Sequence, residues 1–171
     1  MNIELIVSKV SMKAPIFEKV IKQINFHHSN EENKVAFLSG TTIFFTDKLF
    51  LNFSFDEQLF IIAHEVMHYI RHCMSGQFVG LKNKDNVLLN FVEDAQINQF
   101  LLKLGFVPPY GVVLLKDALD YTEEELYNQL FPKIKEIRSW ENNVTELENC
   151  SSISDILNNT NLEKTNNNKK I

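Results

Sequence analysis

Residues 64–68 read His-Glu-Val-Met-His, inside a stretch whose apolar residues recur with helical spacing. On a helix, side chains four apart share a face about one turn from each other. Two imidazoles so placed can grip one zinc ion, and the carboxylate between them can reach a water held there. A chain built around this motif must keep the helix intact and bring a further ligand to it.

The surrounding residues favour that helix. Ser54-Phe55-Asp56-Glu57 has the form of a capping box, with Ser54 at the N-cap and Glu57 three residues on. From there the helix is expected to run to about Met74. At 100° per residue, Leu59, Ile62, Ala63, Val66, Tyr69, Ile70 and Cys73 fall on one arc, which should face a core. His64 and His68 lie on the opposite arc, with Glu65 at its flank. Core-seeking and metal-seeking residues separate, a sorting that an accidental motif has no reason to show.

Catalytic zinc usually takes three protein ligands and leaves one position for water. His72, four residues beyond His68, lies roughly 12 Å along the axis from His64, too far to share an ion bound at ~2.1 Å. It reads as a supporting or surface residue. The extended motif with Gly three and His six residues after the second His is excluded, because Arg71 and Met74 stand there. A carboxylate from a following helix remains. A second helix is expected from about Asp85 to Leu104, stopped by Gly105 and by Pro108-Pro109. It carries Glu93 and Asp94, and Asn90, Asp94 and Asn98 share one face at four-residue spacing. Asp94 is the favoured third ligand, with the two amides placed to orient the ligands, and Glu93 is the alternative.

Upstream, residues 1 to about 28 read as helical in two pieces broken at Ala14-Pro15, since the residue before proline is pushed out of the α region. Phe17, Val20, Ile21 and Ile24 give the second piece an apolar face. His27-His28 then reads as a polar helix terminus, because adjacent positions diverge and hold no common metal. Val35 to Thr46 changes character: β-branched and aromatic residues flank Ser39-Gly40, the pattern of a β-hairpin. A strand just before the motif helix could offer its edge to an extended peptide. A further helix is expected near Thr122 to Leu130, with Thr122 and Glu125 forming another capping box. Beyond Trp140 the chain thins into Asn, Ser, Glu and Lys. The expected organisation is one domain over residues 1–135 and a polar, flexible tail over 136–171.

Composition narrows the function. At 171 residues with 44% hydrophobic content and 14 Phe, the chain has the apolar surface for a real core. A net charge of −5 argues against a protein that neutralises nucleic-acid phosphates. Two distant cysteines, Cys73 and Cys150, make no disulfide framework or zinc ribbon and suit a reducing compartment. With no leader pattern and no apolar run of membrane-spanning length, a cytoplasmic location is expected. Sequence leaves the oligomeric state open.

The segments HEVMHYIRHC and NFVEDAQIN together resemble the metallopeptidase domain found N-terminal to von Willebrand factor A-like domains in some bacterial proteins. That family shows HExxH, a further His, and then a helix with the pattern N-x-x-x-D-x-x-x-N, which Asn90, Asp94 and Asn98 match. The Ala14-Pro15-Ile16-Phe17 start, the Ser39-Gly40-Thr41 hairpin and the stretch from Thr122 to Tyr127 are also similar, so the resemblance covers roughly residues 10 to 131. His72 departs from it, standing four residues after His68 where the family often has its further His at five. The remaining 40 residues leave no room for a von Willebrand-like domain, so a stand-alone or truncated version is expected. The resemblance implies a zincin-like α+β fold, mostly helical, with a small hairpin or sheet before the HExxH helix. It also implies a zinc peptidase acting on peptides or proteins, with His64, His68 and Asp94 on the metal and Glu65 as general base. Tyr110 and Tyr121 are candidates to meet the developing oxyanion, though each reads first as structural. Two other readings stay open: a non-catalytic, metal-stabilised module that binds peptides through its edge strand, and an HExxH protease that cleaves phage-type repressors.

Overall fold

The computed structural model describes residues 2–31, 34–74, 85–115, 117–135 and 137–138, with the side chains of Cys73 and Met74 outside that description. The expected loop around Ser75, Gly76 and Gly80 and most of the expected tail, including Cys150, lie outside the described residues. The fold is α+β, mostly helical with one three-stranded sheet. Among the described residues no helix is long and apolar enough to cross a membrane. The chain forms two compact units, residues 1–82 with 100–109 and residues 83–99 with 110–171.

The first unit opens with α1, Ile3–Lys13, which Asn2 caps by accepting the Leu5 N–H at 3.1 Å. It stops at Ala14, as the following proline demands. A 3₁₀ turn at Pro15–Phe17 leads into the short helix α2, Glu18–Ile21. Phe17, Ile21 and Ile24 are buried, as their spacing suggests. The expected helix to residue 28 is not there. The chain turns at residues 22–24, and Asn25–His28 form strand β1. Strands β2, Ala36–Ser39, and β3, Thr42–Phe45, are the expected hairpin, turning on Gly40 at a φ of 59°.

The sheet order is β1-β3-β2, with β1 parallel and β2 antiparallel to β3. Residues 25–28 carry one apolar side chain, so no alternation marks them as a strand. What makes them one is backbone pairing with a partner distant in sequence, Asn25 opposite Thr42. His27-His28 is therefore strand, not a helix terminus, and the two rings leave on opposite faces. His27 lies against Phe44, while His28 contacts Phe45 and places Nδ1 3.0 Å from Asp47 Oδ2 at the start of the short helix α3, Asp47–Phe50.

Helix α4, Phe55–Met74, follows. The capping box forms as expected: the Ser54 N–H donates to Glu57 Oε2 at 2.8 Å, and Ser54 Oγ accepts from the Glu57 N–H at 3.4 Å. Leu59, Ile62, Ala63, Val66 and Tyr69 are buried and Ile70 half-buried, so the expected core arc holds. Both α1 and β2 pack against α4. Helix α5, Asn86–Lys103, ends within this unit at Gly105, φ 80°. The Gly105 N–H donates to the Leu102 carbonyl at 2.9 Å and the Phe106 N–H to the Leu101 carbonyl at 3.0 Å. These two bonds form a Schellman cap, with Phe106 and Leu101 buried as its apolar contact. A Cβ at Gly105 would meet nothing within 4 Å, so only the left-handed backbone opposes a side chain there. Gly105→Ala is expected to cost about 1 kcal/mol in chemical denaturation, with an unchanged denaturant slope.

The second unit builds its core from the N-terminal part of α5, chiefly Leu88, Phe91 and Ala95, with Val113, Leu126 and Leu130. Helix α6, Glu123–Leu130, has the expected capping box between Thr122 and Glu125. At the start of α5, Asp85 Oδ1 accepts the Val87 and Leu88 N–H groups at 3.1 and 3.2 Å, and Arg138 pairs with Oδ2. Partial burial pushes the Asp85 carboxyl up, but the Leu88 N–H, Arg138 and the Val87 N–H outweigh it and hold it below the usual carboxylate range. Its folded pKa being depressed, its stabilisation is present above the unfolded value and is lost as pH falls through the folded one. Asp85→Ala is expected to cost about 1 kcal/mol near neutral pH. That difference should shrink in acid, as urea titrations at several pH values would show.

Candidate metal centre

Helix α4 sets the geometry of the motif. His64 and His68, one turn apart and both half-buried, bring their Nε2 atoms to 2.9 Å, with ring centroids 4.6 Å apart and planes at 72°. Two ligands of one ion at ~2.1 Å can stand no more than about 4.2 Å apart, so these two nitrogens fit a common cation. At this separation one neutral imidazole donates to the other. Holding a cation instead asks both rings to present an Nε2 lone pair and to keep the proton on Nδ1.

Glu65 is half-buried beside His64. Its place at the flank of the histidine arc follows from the helical angle. His72, one turn past His68, is exposed, and its ring lies 5.6 Å from that of His68. The helix thus joins His64 to His68 and His68 to His72, while His64 and His72 stay two turns apart.

One buried residue departs from the expected sorting of the helix. Phe60, 2% exposed, lies one turn before His64 on the histidine side, and the two rings stack at 6.3 Å with planes 26° apart. An aromatic ring therefore lies beside His64 on the histidine side of the helix. The spacing of Phe60, four residues before His64, was the available signal. Gln58 is also buried and donates to the carbonyls of Phe50 and Phe53 at 3.2 and 2.9 Å, tying the start of α4 to the segment before it.

In the second unit, Glu93 and Asp94 occupy successive positions of α5, so their side chains leave it about 100° apart. Glu93 is buried and Asp94 half-buried. The stripe of Asn90, Asp94 and Asn98 passes from exposed through half-buried to buried. Asn98 donates from Nδ2 to the Val113 carbonyl at 2.9 Å, so this amide anchors the chain that follows α5. Gln96, not anticipated from the sequence, is buried and donates to the carbonyls of Ala118 and Tyr121 at 3.2 and 2.8 Å. Buried amides must be hydrogen-bonded, and here two of them hold the loop after α5 in place. Tyr110 and Tyr121 are both exposed.

Comparison with known families matches residues 6–167 to a family described as "Putative metallopeptidase domain". The match extends past residue 131, where the resemblance by motif ends. Neither a search of curated proteins nor a search of solved structures found a match.

Proposed function

Because this chain belongs to the metallopeptidase-domain family matched over residues 6–167, we propose that it is a zinc-dependent peptidase of zincin-like fold. His64, His68 and Asp94 are its proposed protein ligands and Glu65 its general base. The observation that carries the reading is the approach of two imidazole Nε2 atoms to 2.9 Å on a helix with a glutamate between them.

Zinc, when bound, would act as a Lewis acid towards the scissile carbonyl and make a water acidic enough to attack near neutral pH. The chain's own residues do the rest. Glu65 takes the proton of the attacking water and passes it to the leaving amine. Phe60 holds the His64 ring against rotation. Strand β2, at the edge of the sheet packed against α4, offers main-chain groups to an extended substrate.

Glu93, beside Asp94 on α5, is the competing acid. Metal analysis of freshly purified protein separates the two. Wild type is expected to carry about one zinc per chain, the open-site stoichiometry of a catalytic centre. His64→Ala and Asp94→Ala should both lose it. Zinc kept in Asp94→Ala but lost in Glu93→Ala would make Glu93 the third ligand. Stoichiometric zinc without cleavage across a broad peptide library would instead favour a non-catalytic, peptide-binding module.

A further inference from the structure

Strand β1 lies at the edge of the sheet opposite β2. The Asn25 N–H donates to the Thr41 carbonyl and the Ser29 N–H to the Phe45 carbonyl, so odd-numbered residues pair with β3. In a parallel ladder the alternate residues face the other way. The N–H and C=O groups of Phe26 and His28 therefore point outward, and among the described residues no strand pairs with them.

Beside this edge runs a groove of about 790 Å³ between α1, α2 and β1. Val7, Met12, Ile21 and Phe26 make its walls largely apolar, and Met12 is 68% exposed. Its charges are unequal. Lys22 is taken by Glu18 at 2.8 Å, which leaves Glu4 as the net charge of the lining. On the other face of the same edge, His27, Phe44 and Phe37 form a row of rings across the three strands. An added strand would present alternate side chains to both faces, the apolar groove on the Phe26 side and the row of rings on the His27 side.

From this juxtaposition we propose that the β1 edge binds an extended segment of another polypeptide as a fourth strand. Apolar side chains of that segment enter the α1–α2 groove, and a lysine or arginine sets against Glu4. Main-chain pairing with Phe26 and His28 supplies the register, and the groove supplies the selection. The site is separate from the β2 edge assigned to the scissile segment, so it needs no metal and no turnover.

The test uses the full chain and a short fluorescent peptide that alternates valine with threonine between terminal lysines. Binding is expected with and without zinc, together with slowed hydrogen exchange at the Phe26 and His28 amides. Phe26→Pro removes an outward N–H while leaving the bonds to β3, and edge strands tolerate proline; it should weaken binding about fivefold or more. Ser8→Trp fills the groove from an exposed position of α1 and should weaken binding with unchanged circular dichroism. Full affinity in Ser8→Trp, or unaltered exchange at both amides under saturating peptide, would overturn the proposal. So would a dimer in peptide-free solution that Phe26→Pro dissolves, which would assign the edge to a second copy of the chain.

Discussion

Glu65→Gln is expected to keep the metal and lower peptide hydrolysis by about 10²- to 10⁴-fold, the usual contribution of a positioned proton acceptor. The amide matches the carboxylate in size but cannot take a proton near neutral pH. Zinc content should not move, because Glu65 is placed at the flank of the histidine pair and outside the proposed ligand set. Fold should not move either, since the residue is only half-buried on a well-capped helix. The measurement is kcat for one cleaved peptide alongside metal analysis of the same preparation. Hydrolysis at the wild-type rate would remove Glu65 from its role. Loss of zinc in this variant would make the carboxylate a ligand instead.

The other large effect is expected in Phe60→Ala. A phenylalanine 2% exposed leaves a cavity when truncated, and the cost is about 3 to 5 kcal/mol. That is a large share of the stability of an ordinary domain, so the variant should unfold at clearly lower temperature or denaturant. Phe60→Leu separates packing from positioning. It keeps most of the apolar volume but lacks the flat ring that stacks on His64. Near-normal stability with weakened zinc affinity is expected there. Equal affinity in wild type and Phe60→Leu would show that the ring packs without orienting His64.

What could be read from the chain divides by how local the cause is. The Ser54 and Thr122 capping boxes, the break at Ala14-Pro15 and the stop at Gly105 are set within a few residues, and each stands where the residues imply. The β2–β3 hairpin was legible for the same reason: its turn at Ser39-Gly40 and the β-branched and aromatic residues flanking it sit side by side. Strand β1 was not. Asn25 to His28 carry no pattern of their own and become a strand through a partner seventeen residues on, Asn25 opposite Thr42. At the site, the approach of His64 and His68 follows from spacing alone, whereas the burial of Phe60 beside them depends on packing that a helical wheel does not contain. Asn98 was legible as a buried amide needing a partner, but its use in holding the Val113 carbonyl depends on the path of the chain beyond α5. The choice between Asp94 and Glu93 stays with the metal analysis.

The central place of β3 has a consequence for how the molecule assembles. The first strand to leave the ribosome can pair only with the last of the three, so it must wait while the intervening hairpin closes. Local closure of that kind takes microseconds, whereas a parallel pairing across a longer stretch costs more chain entropy and comes later. The N-terminal arm should therefore dock onto a finished two-stranded template, and pulse-labelled exchange during refolding should protect Phe44, whose N–H faces β2, before His27.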